Sequence, residues 1–190
     1  INTNLFYKIK SIKRQKNLIL SVGSLSFQKD YPNLLHALKI LCDDGYDDFH
    51  LVIVGEGPLK SELVNLSIEL EIQDQVEFIG IRNDIPSLMS KCDIFILPSA
   101  WEGFGLVVAE AMACENMVIA TDCGGVKSVI SDCGFLVPPR DSKALSAAIL
   151  DVISLKEYEK IQLGKKARNR IINFYSIEKM ASNYFNLYKK

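Results

Sequence analysis

Short apolar runs alternate with amphipathic segments along nearly the whole chain. The runs Leu18–Val22, Leu51–Val54, Val76–Ile79, Ile94–Leu97, Val118–Thr121 and, more weakly, Phe135–Val137 are nearly continuous in valine, isoleucine, leucine and phenylalanine. Strands covered on both faces have this composition. The segments between them carry helical spacing. Leu34, Leu35, Leu38 and Leu41 recur at three and four residues within Tyr31–Cys42, where Pro32 suits a first helical turn. Leu63, Leu66 and Leu70 mark a helix over Leu59–Leu70 after Gly57-Pro58. Asp84-Ile85-Pro86 predicts an N-cap and first-turn proline opening a short helix to Lys91. Leu106–Cys114 is almost wholly apolar, Asp141 is placed to cap a helix running to Ile153, and Tyr158–Ile172 and Ser176–Tyr188 complete the helical set.

Such an alternation predicts a parallel sheet with helices on both faces, joined by right-handed crossovers. Ligands of such sheets sit beyond the carboxyl ends of the strands. Candidate chemistry is therefore sought in the residues that follow each strand. Gly23-Ser24-Leu25-Ser26-Phe27-Gln28-Lys29-Asp30 follows the first. A glycine turn with a lysine just before a helix suits a phosphate, and equally describes a surface loop. Gly55-Glu56-Gly57-Pro58 after the second is explained by turn chemistry alone. After the third, Gly80 allows close approach of a ligand to the backbone, with Ile81 beside it, and Arg82 meets either a phosphate or Asp84.

The fourth strand leads into Pro98-Ser99-Ala100-Trp101-Glu102-Gly103-Phe104-Gly105-Leu106-Val107-Val108-Ala109-Glu110. Gly103 and Gly105 free a loop to gather backbone amides, and the helix beginning near Gly105 aims its positive end at the same place, as a pyrophosphate requires. Glu102 stands before that helix, where its charge is favoured in any case. Glu110 lies within a helix apolar on every side, so burial is expected. An unpaired buried carboxylate costs several kcal/mol, roughly, and must meet donors. Vicinal ligand hydroxyls would serve; an internal pair with Lys29 or Arg82 is the alternative. The fifth strand is followed by Gly124-Gly125, which again free the backbone at the same edge, and the sixth by the rigid turn Pro138-Pro139-Arg140-Asp141.

A length of 190 residues suits one domain with a full core. The net charge of −1 gives no general attraction to nucleic acid or anionic membrane, although Lys8–Lys16 and the last thirty residues are basic. Five cysteines without a C-x-x-C pair argue against a disulfide framework or structural zinc and fit a reducing, cytoplasmic setting. No apolar span of about twenty residues predicts a membrane crossing. The opening Ile-Asn-Thr-Asn-Leu-Phe-Tyr-Lys has no clear period and reads as a linker, so a fragment of a longer chain is expected.

The sequence resembles the C-terminal domain of glycosyltransferase family 4, of GT-B fold. The resemblance rests on VGSLSFQKDYPNLL, LVIVGEGPLKSEL, VEFIG, CDIFILPSAWEGFGLVVAEAMA, VIATDCGGVKSVI and GFLVPPRD, in the family's order, and on Glu102 and Glu110 spaced as its two-glutamate motif. It implies a Rossmann-like α/β three-layer sandwich with a mostly parallel six-stranded sheet, one half of a GT-B enzyme. Residues 1–16 would be an interdomain linker, 17–175 the nucleotide-sugar-binding domain and 176–190 a C-terminal helix. It further implies that Lys29, with Gly23 and Ser24, binds donor phosphate, and that Glu102 and the Gly103-Phe104-Gly105 backbone face the transferred sugar. The amides of Leu106 and Val107 would hold the pyrophosphate, Glu110 would accept from ribose hydroxyls, and the base would rest near Gly80 and Ile81. Glu102 and Lys29 carry the chemistry in this reading, which retains anomeric configuration and needs neither metal nor cofactor. The acceptor site would lie on a missing N-terminal domain, and the full enzyme would touch the inner face of the membrane peripherally. An epimerase of the same fold and a non-catalytic nucleotide-binding module are the alternatives, and a dehydrogenase is disfavoured because no G-x-G-x-x-G follows the first strand. One departure stands out: Ser24 occupies the place where many members carry an arginine, leaving Arg82 or another group to replace it, or a lower phosphate affinity. Asp30 stands where glycine is frequent.

Overall fold

The computed structural model describes residues 1–188; Lys189 and Lys190, the end of the predicted C-terminal helix, lie outside them. Six strands, β1 (Leu18–Val22), β2 (His50–Val54), β3 (Val76–Phe78), β4 (Ile94–Leu97), β5 (Met117–Thr121) and β6 (Phe135–Val137), form one sheet in the order β3-β2-β1-β4-β5-β6. Every pairing is parallel, so the sheet expected to be mostly parallel is parallel throughout. Parallel neighbours need crossovers long enough to return to the starting edge, and helices supply them. These are α1 (Tyr31–Asp43), α2 (Lys60–Glu69), α3 (Ile85–Lys91), α4 (Leu106–Ala113) and α5 (Val126–Ile130), with one 3₁₀ turn over Gln73–Gln75; α6 (Ser142–Ser154), α7 (Glu157–Tyr175) and α8 (Ile177–Tyr188) follow the last strand.

Strand side chains alternate between faces, and each face has its own core. Ile19, Leu51, Ile53, Ile94, Ile96 and Ile119 pack against α1, α2 and α6. Leu18, Leu20, Phe95, Leu97, Val118 and Ala120 pack against α3, α4, α5 and α7. Predicted element ends fall within a residue or two except in α7, and one helix and one cap contact differ from expectation. The five-residue α5 was not foreseen, and α7 runs on to Tyr175. At α3, Asp84 occupies the cap position, yet its carboxylate accepts from Arg82 Nε and Nη2 at 2.8 Å each rather than from the helix amides. The guanidinium fork two residues away offers a charge-assisted bidentate partner, which outcompetes a backbone amide. Asp141 does cap α6, accepting from the Ala144 amide at 2.9 Å.

Asp30 adopts the left-handed region (φ 47°, ψ 46°) immediately before α1, which accounts for glycine being common at that place. Helix α8 buries none of its residues and exposes Ile177, Met180, Tyr184 and Leu187. No helix among the described residues is long and apolar enough to cross a membrane.

At the amino end of the strands a buried ion pair ties α7 to the sheet. Lys160 Nζ lies 2.8 Å from Asp93 Oδ2, the two side chains being 4% and 3% exposed, and Asp93 also accepts from the Asn17 amide at 3.3 Å. Removing one partner strands the other charge in the core. Lys160→Met is therefore expected to destabilise the chain by about 3–5 kcal/mol. Combining it with Asp93→Asn should restore part of the loss, both measured by denaturant unfolding.

Candidate functional site

The strand order places β1 beside β4, so the loops leaving them meet although they are far apart in sequence. The Ala100 amide donates to the Gln28 carbonyl at 2.8 Å, and Gln28 Nε2 donates to the Trp101 carbonyl at 3.2 Å. Across this seam Lys29 Nζ is ion-paired with Glu102 Oε1, and the Ser99 hydroxyl donates to the same oxygen at 2.9 Å. The lysine stem passes closely over Gly23, where an added Cβ would lie 2.9 Å from Lys29 Cε. Lys29 and Glu102, expected to serve phosphate and sugar separately, thus hold each other here.

The loop after β5 supports the loop after β4 from below. Gly125 donates its amide to the Gly103 carbonyl at 2.9 Å, and Gly124, at φ 54°, lies so close that an added Cβ would sit 1.7 Å from the Glu102 carbonyl oxygen. Ser99, Gln28, Gly124 and Gly125 are contributors that motif reading did not assign. The paired glycines were the visible signal, but what they approach depends on strand order.

Helix α4 begins after Gly105, itself at φ 78°. The amides of Leu106 and Val107 find no acceptor among the described residues, as expected of a helix's first turn. They border a cleft of about 440 Å³ lined by Val22, Gly23, Lys29, Glu102, Phe104, Gly105, Leu106, Val107 and Glu110. Glu110 was expected to lie in a helix buried all round. Instead Leu106, one turn before it, is 63% exposed, and the face carrying both opens onto the cleft. Glu110 is half-buried, and desolvation pushes its carboxyl above the usual carboxylate range. It has no hydrogen bond or ion pair among the described residues. The internal pair that the sequence left open is not formed, since Lys29 is held by Glu102 and Arg82 by Asp84.

The remaining candidates lie apart from that cleft. Ile81 and Arg82 border a separate open depression with Asn83 and Asp84. Gly80 (φ 67°) accepts from the Gly55 amide at 2.9 Å. The Ser24 hydroxyl engages that of Ser26 at 3.0 Å. Lys29 is accordingly the one cation among the residues lining the cleft, facing two carboxylates. Among the described residues no cluster of three or more histidine, cysteine, aspartate or glutamate side chains is arranged to hold a metal.

The family model described as "Glycosyl transferases group 1" matches residues 4–170. The chain belongs to this family. It is 30% identical over 185 residues, 95% of its own length, to the UDP-Gal:alpha-D-GlcNAc-diphosphoundecaprenol alpha-1,3-galactosyltransferase of Escherichia coli. It covers 47% of that enzyme, and so spans about half the length of such relatives. Among solved structures, this glycosyltransferase domain superposes on the C-terminal domain of a glycosyl transferase group 1 family protein from Francisella tularensis. The TM-score there is 0.81 at 26% identity, over 93% of this chain and 99% of that one. A glycosyltransferase from Rickettsia africae gives a TM-score of 0.88 at 25% identity, over 100% of this chain and 55% of that one. The architecture is the Rossmann-like half of a GT-B fold.

Gly124→Ala would force a left-handed backbone on a residue with a Cβ and drive that carbon into the Glu102 carbonyl. A loss on the order of 2 kcal/mol or more is expected, read as a lowered melting temperature.

Proposed function

We propose that this chain is the donor-binding half of a retaining glycosyltransferase. The full enzyme transfers a sugar from a nucleoside diphosphate sugar to a saccharide or lipid-linked acceptor, in the synthesis of cell-surface polysaccharide at the cytoplasmic face of the membrane. The observation that carries the reading is Glu110: a half-buried carboxylate with no hydrogen bond or ion pair among the described residues, one turn from the unpaired amides of Leu106 and Val107, in a cleft that also holds Lys29. A ribose supplies the vicinal hydroxyls that such a carboxylate lacks, and the adjacent amides suit the diphosphate joined to that ribose. The similarity to an enzyme named for UDP-Gal and a diphosphoundecaprenol acceptor supports both substrate classes.

In this reading the departing diphosphate gathers negative charge as its bond to the sugar breaks. The first turn of α4 is fixed beside it and stabilises that charge without reorganising, and Lys29 adds a cation from its flexible stem. Glu102, held by Ser99 and by the loop on Gly124, faces the sugar. Gly80 and Ile81 lie further along the same sheet edge, toward the base. Because Ser24 and Arg82 do not line the cleft, the α4 amides take the role of a second phosphate clamp. No metal or cofactor is assigned. The acceptor is assigned to the other half of the full-length protein, across a cleft whose closure excludes water. Transfer therefore belongs to the full-length enzyme, and turnover by these 190 residues alone would overturn that division.

Thermal melting against a panel of nucleotides and nucleotide sugars tests the reading. A ligand at a hundred times its Kd adds about 2.7 kcal/mol, roughly 5–10 °C for a chain of this size. Glu110→Ala should remove most of that shift while leaving the unliganded melting temperature unchanged or higher, because it abolishes a desolvated charge. A variant that melts lower yet binds as well as the parent would assign Glu110 to structure instead.

A further inference from the structure

We infer that Glu102 is an internal stand-in for the donor's phosphate on Lys29, and that it favours release of the nucleoside diphosphate once the sugar has left. This rests on the donor-site reading above. Lys29 and Glu102 are ion-paired with side chains only 14% and 10% exposed, so solvent screens the pair weakly. The two members differ in freedom. Glu102 is fixed by the Ser99 hydroxyl at 2.9 Å and by a backbone that rests on Gly124, whereas Lys29 reaches it on a long flexible stem over Gly23. The pair therefore opens by movement of the lysine, and Glu102 keeps its place.

An incoming diphosphate must draw Lys29 away, leaving Glu102 as an unpaired carboxylate beside an anion, with Glu110 adding a second negative charge in the same cleft. A donor that still carries its sugar brings hydroxyls that donate to Glu102 and replace the lost lysine. A nucleoside diphosphate lacks those sugar hydroxyls, and the ones it keeps are on the ribose assigned to Glu110. It leaves Glu102 uncompensated, and re-formation of the ion pair opposes its retention. Glu102 thereby sets the preference for sugar-bearing donor over spent product.

Isothermal titration of the chain with UDP, GDP, UDP-glucose and GDP-mannose tests this. Glu102→Gln keeps the shape and the Ser99 contact but removes the charge. It is expected to tighten UDP or GDP by about 3- to 10-fold, the scale for neutralising one carboxylate against the binding cation, with no matching gain for the sugar conjugate. Lys29→Met should weaken the diphosphate and abolish the effect of Glu102→Gln in the double variant. Glu102→Asp withdraws the charge by one methylene and should give a smaller tightening, and it carries the test if melting shows the glutamine variant unfolded. Unchanged or weaker diphosphate binding by Glu102→Gln, or equal tightening in the Lys29→Met background, overturns this inference alone. Absence of binding by all four probes to every variant and to the parent overturns the donor-site reading, and this one with it.

Discussion

Strand β1 lies between β2 and β4, and the working edge of the molecule depends on that placement. Parallel strands send all their exit loops to one side, but only at this point do loops 73 residues apart in sequence share a boundary. The Gln28 contacts to Ala100 and Trp101 seal it, the Lys29–Glu102 pair spans it, and α4 starts beside it. Both faces of the sheet must be covered for such strands to be stable, and that covering leaves the carboxyl edge as the open ground where amides and charges face water.

The chain uses one chemical pairing, lysine with carboxylate, for opposite ends. Lys160 and Asp93 are sealed at the amino end of the strands, where the surrounding core lets neither leave. Lys29 and Glu102 sit at the carboxyl end, beside a cleft, with one member anchored and the other on a flexible stem. Burial alone does not separate a structural pair from a responsive one. Access and the asymmetry of anchoring do.

Much of the fold was legible because strands covered on both faces are near-continuous in apolar residues and their helices repeat every three to four positions. Helix α5 was not, since five residues of Val-Lys-Ser-Val-Ile are too few to show a period. Asp84 read as a cap because its position is right, and the competing guanidinium two residues earlier decided otherwise. Glu110 was conspicuous as a charge in an apolar helix, but the helix's one open face was not visible from composition. That Lys29 would meet Glu102 rather than Glu110 is set by strand order and loop geometry, which no local spacing encodes.

The loop bearing Glu102 rests on glycine, carbonyl against Cα, with no side chain between the two layers. Its backbone is thus specified from beneath and Phe104 braces it edge-to-face against Tyr175, while Trp101 and Leu106 project outward. Side chains on that outer surface are free to be exchanged without altering the amide frame. What the cleft selects is therefore separable from the ability to fold, and the scaffold can be retuned at its rim while its floor stays constant.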